Sequence, residues 1–201
     1  MEKLVTWNEV LDFNGVVYRI VREIDSKNMF SLYLLEDGRE LRMTRNVLLY
    51  NFAKDKLLGK DFKNIAKVFD CFEKDFIDER NQPYKEYYVV SEHLDRSFEK
   101  HDKIQQGINL FRNTWHEYFH CLDVHLEEHI NNAYVNNNIE AQEIIRNNIK
   151  AKAKDNIEEA IALAFDNVYR TIKGLDPNIK IHPYPANVGL ADSMIKVCNF
   201  G

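Results

Sequence analysis

Two apolar stripes at helical spacing set the limits on what this chain can fold into. The first runs Ile104, Ile108, Phe111, Trp115, Tyr118, Leu122, Leu126, Ile130, advancing three or four residues at every step. Residues so spaced share one face of an α-helix, so the spacing predicts one amphipathic helix of about 40 Å. The polar tract from Asn131 to Asn138 interrupts it. A second stripe follows through Ile145, Ile149, Ala153, Ile157, Ala160, Ala164, Val168 and Ile172, closed by Gly174 and Pro177. Two such helices bury their stripes against each other as an antiparallel hairpin. Core packing is the ordinary use of such stripes, and a partner-binding face is the second use.

The first half reads differently. Val16 to Glu23, Met29 to Leu35 and Glu40 to Thr44 are rich in β-branched, aromatic and aliphatic residues, and Asp37-Gly38 is a hairpin turn signal. Asn46 can cap a helix through Leu48, Leu49, Phe52 and Leu57 that ends near Gly59. Ile65 to Phe72 and Tyr87 to Glu92 read as two more strands, joined by a charged loop containing Pro83. Strands followed by helices give an α+β fold. The expected architecture is a five-stranded antiparallel meander with one helix over residues 1–94. A long helical hairpin and a short β-hairpin follow over residues 95–201.

Composition removes several function classes. A chain of 201 residues can bury one sizeable core or two small lobes, and its 45% apolar and 29% charged residues are those of a folded domain. A net charge of −5 gives no electrostatic reason to expect nucleic acid. No run is apolar enough for a signal peptide or a membrane span, so no membrane partner is expected. Cys71, Cys121 and Cys198 are odd in number and scattered, which points to a reducing compartment and a cytoplasmic protein.

The carboxy-terminal stretch carries the most specific pattern. Val188 to Leu190 and Met194 to Cys198 read as a strand pair around Asp192-Ser193, and the pair is flanked by Asn187 and Asn199. With Pro185-Ala186-Asn187 before it and Asn199-Phe200-Gly201 after it, the stretch resembles the catalytic hairpin of protein-kinase-like folds. In that family a Pro-x-Asn segment leads through two strands into Asp-Phe-Gly, and the Asn and Asp hold metal ions on the nucleotide phosphates. The resemblance implies that Asn199 stands where the family has the metal-binding Asp. His182, five residues before Asn187, stands where it has the catalytic Asp. The chain is then expected to be a degenerate kinase, truncated after Asn-Phe-Gly.

Two segments of the first half extend the resemblance. Asn64 to Glu73 is similar to the strand after the amino-terminal lobe's helix, and Tyr87 to Leu94 is similar to the hinge strand. If nucleotide binding is retained, the resemblance implies that the Glu92 carbonyl and Leu94 amide face adenine, with Ser91 behind. The phosphate-handling groups are missing. Ile24 to Met29 contains no glycine to let backbone amides approach phosphates, and it carries Asp25. The position expected for the phosphate-binding Lys is Thr44; Arg42 shares its face and Arg45 points oppositely. Between Asn46 and Lys63 there is no Glu to pair with such a Lys.

One competing motif lies within the first stripe. His116-Glu117-Tyr118-Phe119-His120 fits H-E-x-x-H and resembles zinc metallopeptidases over those residues: His116 and His120 as ligands, Glu117 as general base. A third ligand must come from elsewhere, with Glu140, Glu143, Glu158 and Glu159 as candidates. The bland alternative makes both His residues boundary positions beside the stripe. The kinase resemblance spans more of the chain. The resulting expectation is a catalytically impaired pseudokinase acting as an interaction or regulatory module with a protein partner. No cofactor is expected in that role, ATP and Mg would bind weakly, zinc belongs to the peptidase alternative alone, and the second alternative is an atypical active kinase with residual ATP binding.

Overall fold

The computed structural model describes residues 10–27, 30–96, 101–181 and 183–198. They form an α+β protein with a six-stranded antiparallel sheet, five α-helices and a short β-hairpin. Two compact units result. One is drawn from residues up to Asp61 and from Lys67–His93; the other comprises Phe62–Ala66 and the residues from Leu94 on.

The first unit is the sheet. Its strands are β1 (Val10–Phe13), β2 (Val16–Lys27), β3 (Phe30–Leu35), β4 (Glu40–Thr44), β5 (Val68–Ile77) and β6 (Pro83–Ser91), in the order β1-β2-β3-β4-β6-β5. This corrects the sequence expectation in three ways. A sixth strand, β1, precedes the expected first, folded back by Asn14 and Gly15 at φ of 50° and 81°. That Asn-Gly pair is itself a strong two-residue hairpin signal. The sheet is not a plain meander either, because β6 pairs with β4 and leaves β5 at the edge. Finally, Pro83 opens β6 instead of sitting in a loop, a position where its missing N–H costs no ladder bond in the sheet interior.

Alternation then separates the two faces. Tyr18, Ile20, Leu35, Leu41, Phe72, Tyr88 and Val90 form one buried cluster, in which Phe72 stacks on Phe13, Tyr18 and Tyr88 with centroids 4.6, 5.1 and 4.9 Å away. Against the other face lies α1 (Val47–Phe52), with Tyr50 4.8 Å from the Tyr87 ring. Asn46 caps α1 as expected, its side chain accepting from Leu48 N and Leu49 N. The last turn widens into a π-turn over Ala53–Leu57, and Gly59 follows at φ 70°.

The second unit is mainly helical. The expected pair of helices is in fact four: α2 (His101–Phe119), α3 (Asp123–Val135), α4 (Ile139–Lys152) and α5 (Asn156–Leu175). The first break falls where His120 adopts φ 51°, which no α-helix can contain. Leu122, a member of the supposed stripe, is left 70% exposed. The second break is a cap: the Asp155 side chain accepts from Ile157 N and Glu158 N, while Glu158 Oε2 accepts from Lys154 N. The back-bond goes to the residue before the cap, so this is the capping-box idea displaced by one residue. Of the second stripe, Ile157 and Ala160 are consequently exposed. The buried face of α5 keeps Ala164, Val168 and Ile172 of the stripe and adds Ile161, Ala162, Phe165 and Tyr169.

These residues hold the bundle together. Each large one removed from water contributes roughly 1.5–3 kcal/mol. Phe111 of α2 meets Phe165 and Tyr169 at 6.1 and 5.3 Å, and Trp115 meets Tyr134 of α3 at 5.6 Å. Beyond α5, Lys173 Nζ donates to the carbonyls of Pro177 and Ile179 at 3.2 and 2.5 Å, tying down the turn that follows the helix. Burial holds that ammonium below the usual lysine pKa. Strands β7 (Val188–Ala191) and β8 (Met194–Val197) complete the unit, with Asp192 and Ser193 at φ of 50° and 62° in the expected turn. No helix among the described residues is long and apolar enough to cross a membrane.

Candidate functional site

The β7–β8 hairpin is the feature around which a site can be built, and neighbouring backbone holds it firmly. A single turn of 3-10 helix at Pro185–Asn187 leads into β7. Asn187 is buried; its N–H donates to the Tyr184 carbonyl, and its own carbonyl accepts from Cys198 N at 2.9 Å. That bond ties Asn187 to the residue immediately before position 199. His182 and Asn199 themselves lie outside the described residues.

Contacts from Leu94–Asp95 and from Asn64–Ala66 fix the hairpin within its unit. Asp95 N donates to the Leu190 carbonyl and Leu190 N to the Asp95 carbonyl, at 2.8 and 3.0 Å. Gly189 lets Leu94 approach, since a Cβ there would stand 2.7 Å from Leu94 Cβ. On the other side Asn64, held at φ 64°, donates from Nδ2 to the Ile195 carbonyl at 2.7 Å and accepts from Asn167 Nδ2 of α5 at 3.2 Å. Val197 N donates to the Asn64 carbonyl, and Ala66 N to the Val197 carbonyl. Sequence reasoning took Asn64 only as the start of a strand. Asn tolerates such a positive φ better than most residues, but no local pattern in the sequence marks the position.

The hinge candidates divide between the units. Ser91 ends β6, paired with Glu40 and Val68. The Glu92 carboxylate accepts from Lys67 N at 2.7 Å, and Glu92 N donates to the Lys67 carbonyl. Leu94 belongs to the second unit, fully buried with Ala66 and Cys198.

Of the positions assigned to phosphate handling, Thr44 is buried and its Oγ1 accepts from Asn46 N at 3.0 Å, so it serves the turn into α1. Arg42 stacks 4.8 Å over Phe30, and Arg45 lies 5.4 Å over Tyr84. Glu40, which no motif singles out, is buried in β4, and its carboxylate meets His93 Nδ1 at 2.9 Å. As metal donors, Asn187 and Asn199 offer only neutral amide oxygens. Magnesium on nucleotide phosphates ordinarily takes one or two carboxylates, so this donor set does not fit it well.

The zinc motif has a different geometry from the one its spacing suggests. His116 lies on α2, but His120 follows the helix end in the left-handed region, so the two do not present as a regular i, i+4 pair. His116 Nε2 is 3.3 Å from Asp123 Oδ1, and Glu117 is paired with Lys152. Among the described residues, no group of three His, Cys, Asp or Glu side chains is arranged to hold a metal ion. Comparison with known proteins yields no matching family model and no matching curated protein.

Proposed function

We propose that this chain is a kinase-like protein that has lost phosphoryl transfer and acts by binding another protein. The observation supporting this most directly is the anchored hairpin. One backbone bond joins Asn187 to Cys198, so that two amides flank a strand pair whose family counterpart carries an amide and an acid. The order of elements agrees with the same reading: a sheet with a helix, then helices, then the hairpin.

Phosphoryl transfer depends on positioning and on neutralising charge as the phosphoryl group moves. In this reading four contributions are weakened together. Asn199 replaces a metal-binding carboxylate, His182 replaces the acid that orients the nucleophile, Thr44 replaces a lysine, and the stretch from Ile24 to Met29 has no glycine. A scaffold that keeps its framework while losing all four retains surfaces, and surfaces bind partners.

The test is direct. Purified protein incubated with labelled ATP and magnesium transfers no label to itself or to a generic acceptor protein. Transfer that disappears in Asn199→Ala overturns the proposal. Residual nucleotide binding is read separately, as a thermal shift on adding ATP with and without magnesium.

A further inference from the structure

Within the second unit a groove of about 520 Å³ runs between α4, α5, the Lys63-Asn64 segment and the turn into β8. Its charge is opposite to that of the whole chain. Lys63, Lys150, Arg146 and Arg170 line it against one carboxylate, Asp166, in a protein of net charge −5. Asp166 is buried and does not cancel the field so much as organise it. Its Oδ2 accepts from Arg146 Nε and from Arg170, both at 2.8 Å, and its Oδ1 accepts from Tyr134 OH at 2.7 Å. Each arginine is thereby held along one side, while roughly a third of each side chain stays exposed to solvent. Lys63 and Lys150 are exposed and form no ion pair among the described residues.

The rest of the lining is mixed, with Asn64, Asn167 and Ser193 beside apolar side chains. Leu163 of α5 and Met194 and Ile195 of β8 face the same space, with Met194 40% exposed. A ligand matching this surface must carry negative charge and aliphatic side chains together. Inorganic phosphate satisfies only the cations. Nucleic acid would need a longer basic track than one groove on an acidic protein. A peptide segment alternating acidic and aliphatic residues satisfies both, with fixed guanidiniums suited to carboxylates.

We propose that this groove docks an acidic, aliphatic segment of a partner protein. The proposal rests on reading the chain as a binding module and names the kind of partner it takes. The experiment is selection of displayed random dodecapeptides on the full chain, followed by anisotropy titration of the enriched peptides. Enriched sequences combine Asp or Glu with Leu, Ile or Val, and their binding weakens with salt. The Lys63→Glu/Lys150→Glu double variant, which breaks no internal ion pair, binds them about tenfold more weakly, because rim charges steer and hold an oppositely charged partner. Lys56→Glu, in the other unit, leaves binding unchanged.

Peptides without acidic bias, or peptides bound equally by the double variant, overturn the proposal. So does a single-stranded oligonucleotide that competes for the same site. Self-association that the double variant abolishes, measured by sedimentation, overturns it in favour of a second copy as occupant. None of these outcomes bears on phosphoryl transfer, so failure here is distinguishable from failure of the pseudokinase reading.

Discussion

Gly107→Ala sets two known effects against each other, and the structure decides which one wins. Gly107 is buried in the middle of α2, where alanine is the better helix former by about 1 kcal/mol. On propensity alone the substitution stabilises. The added Cβ, however, would stand 2.5 Å from Ile161 Cβ, 2.6 Å from Ile161 Cγ2 and 3.1 Å from the Glu158 carbonyl. Carbon atoms pack at about 3.5–4.0 Å, so α2 and α5 would have to separate by roughly 1 Å. Ile161 cannot yield by rotation, because its Cβ is fixed to the backbone. The helices are also held together on the same side by Phe111 against Phe165 and Tyr169.

Overpacking of this kind costs about 1–3 kcal/mol, and the upper part of that range applies when backbone must move. The net expectation is a loss of about 1–2 kcal/mol. Gly174→Ala is the matched control, near the end of α5 with nothing within 4 Å of the new Cβ. It gains about 0.5 kcal/mol through the unfolded state. Thermal unfolding followed by circular dichroism at the helical band reads both. For a chain of this size Gly107→Ala lowers the midpoint by about 2–8 °C, and Gly174→Ala raises it by about 1–2 °C. If Gly107→Ala is as stable as wild type or more so, the close approach of α2 to α5 is wrong.

Three other outcomes are expected. Tyr134→Phe removes one partner of the buried Asp166 carboxylate and lowers stability by about 1–2 kcal/mol in urea unfolding, less than a full loss because both arginines remain on Oδ2. Asp155→Asn keeps a competent cap for α5 but loses the charge pairing with Lys103, whose hydrogen bond holds the Asp155 carboxyl below the usual aspartate pKa. A carboxylate with a depressed folded pKa stabilises above its unfolded pKa and loses that contribution as pH falls through the folded one. Wild type therefore exceeds the variant at neutral pH, and the two converge under acid. Burial, with the charge of Asp70 adding to it, pushes the Cys71 thiol up to about 12, so mass spectrometry after iodoacetamide at pH 8 finds Cys71 unmodified in the folded protein and alkylated in urea.

The local signals were legible wherever a residue acts on its immediate neighbours. Asp37-Gly38, the Asn46 cap and the Asp192-Ser193 turn all work through bonds a few residues long, and each stands where the chain predicts it. Signals of the same kind stand at Asn14-Gly15 and at Asp155. In the candidate site, Asn187 could be singled out from its motif, whereas Asn64 could not, because its partners Asn167 and Ile195 are more than a hundred residues away.

The sequence by itself determined the fold class, the turns and most of the faces, because periodicity and capping are properties of short stretches. Tertiary structure decided the rest. Apolar spacing ran on through His120 and Asp155, and packing chose to break both helices there, since each segment must turn its own face to a shared core. It decided too that β6 lies beside β4, that Gly107 admits Ile161, and that four cations from three separate segments share one groove. Each of these depends on which distant residues meet, and spacing along a chain carries no record of that.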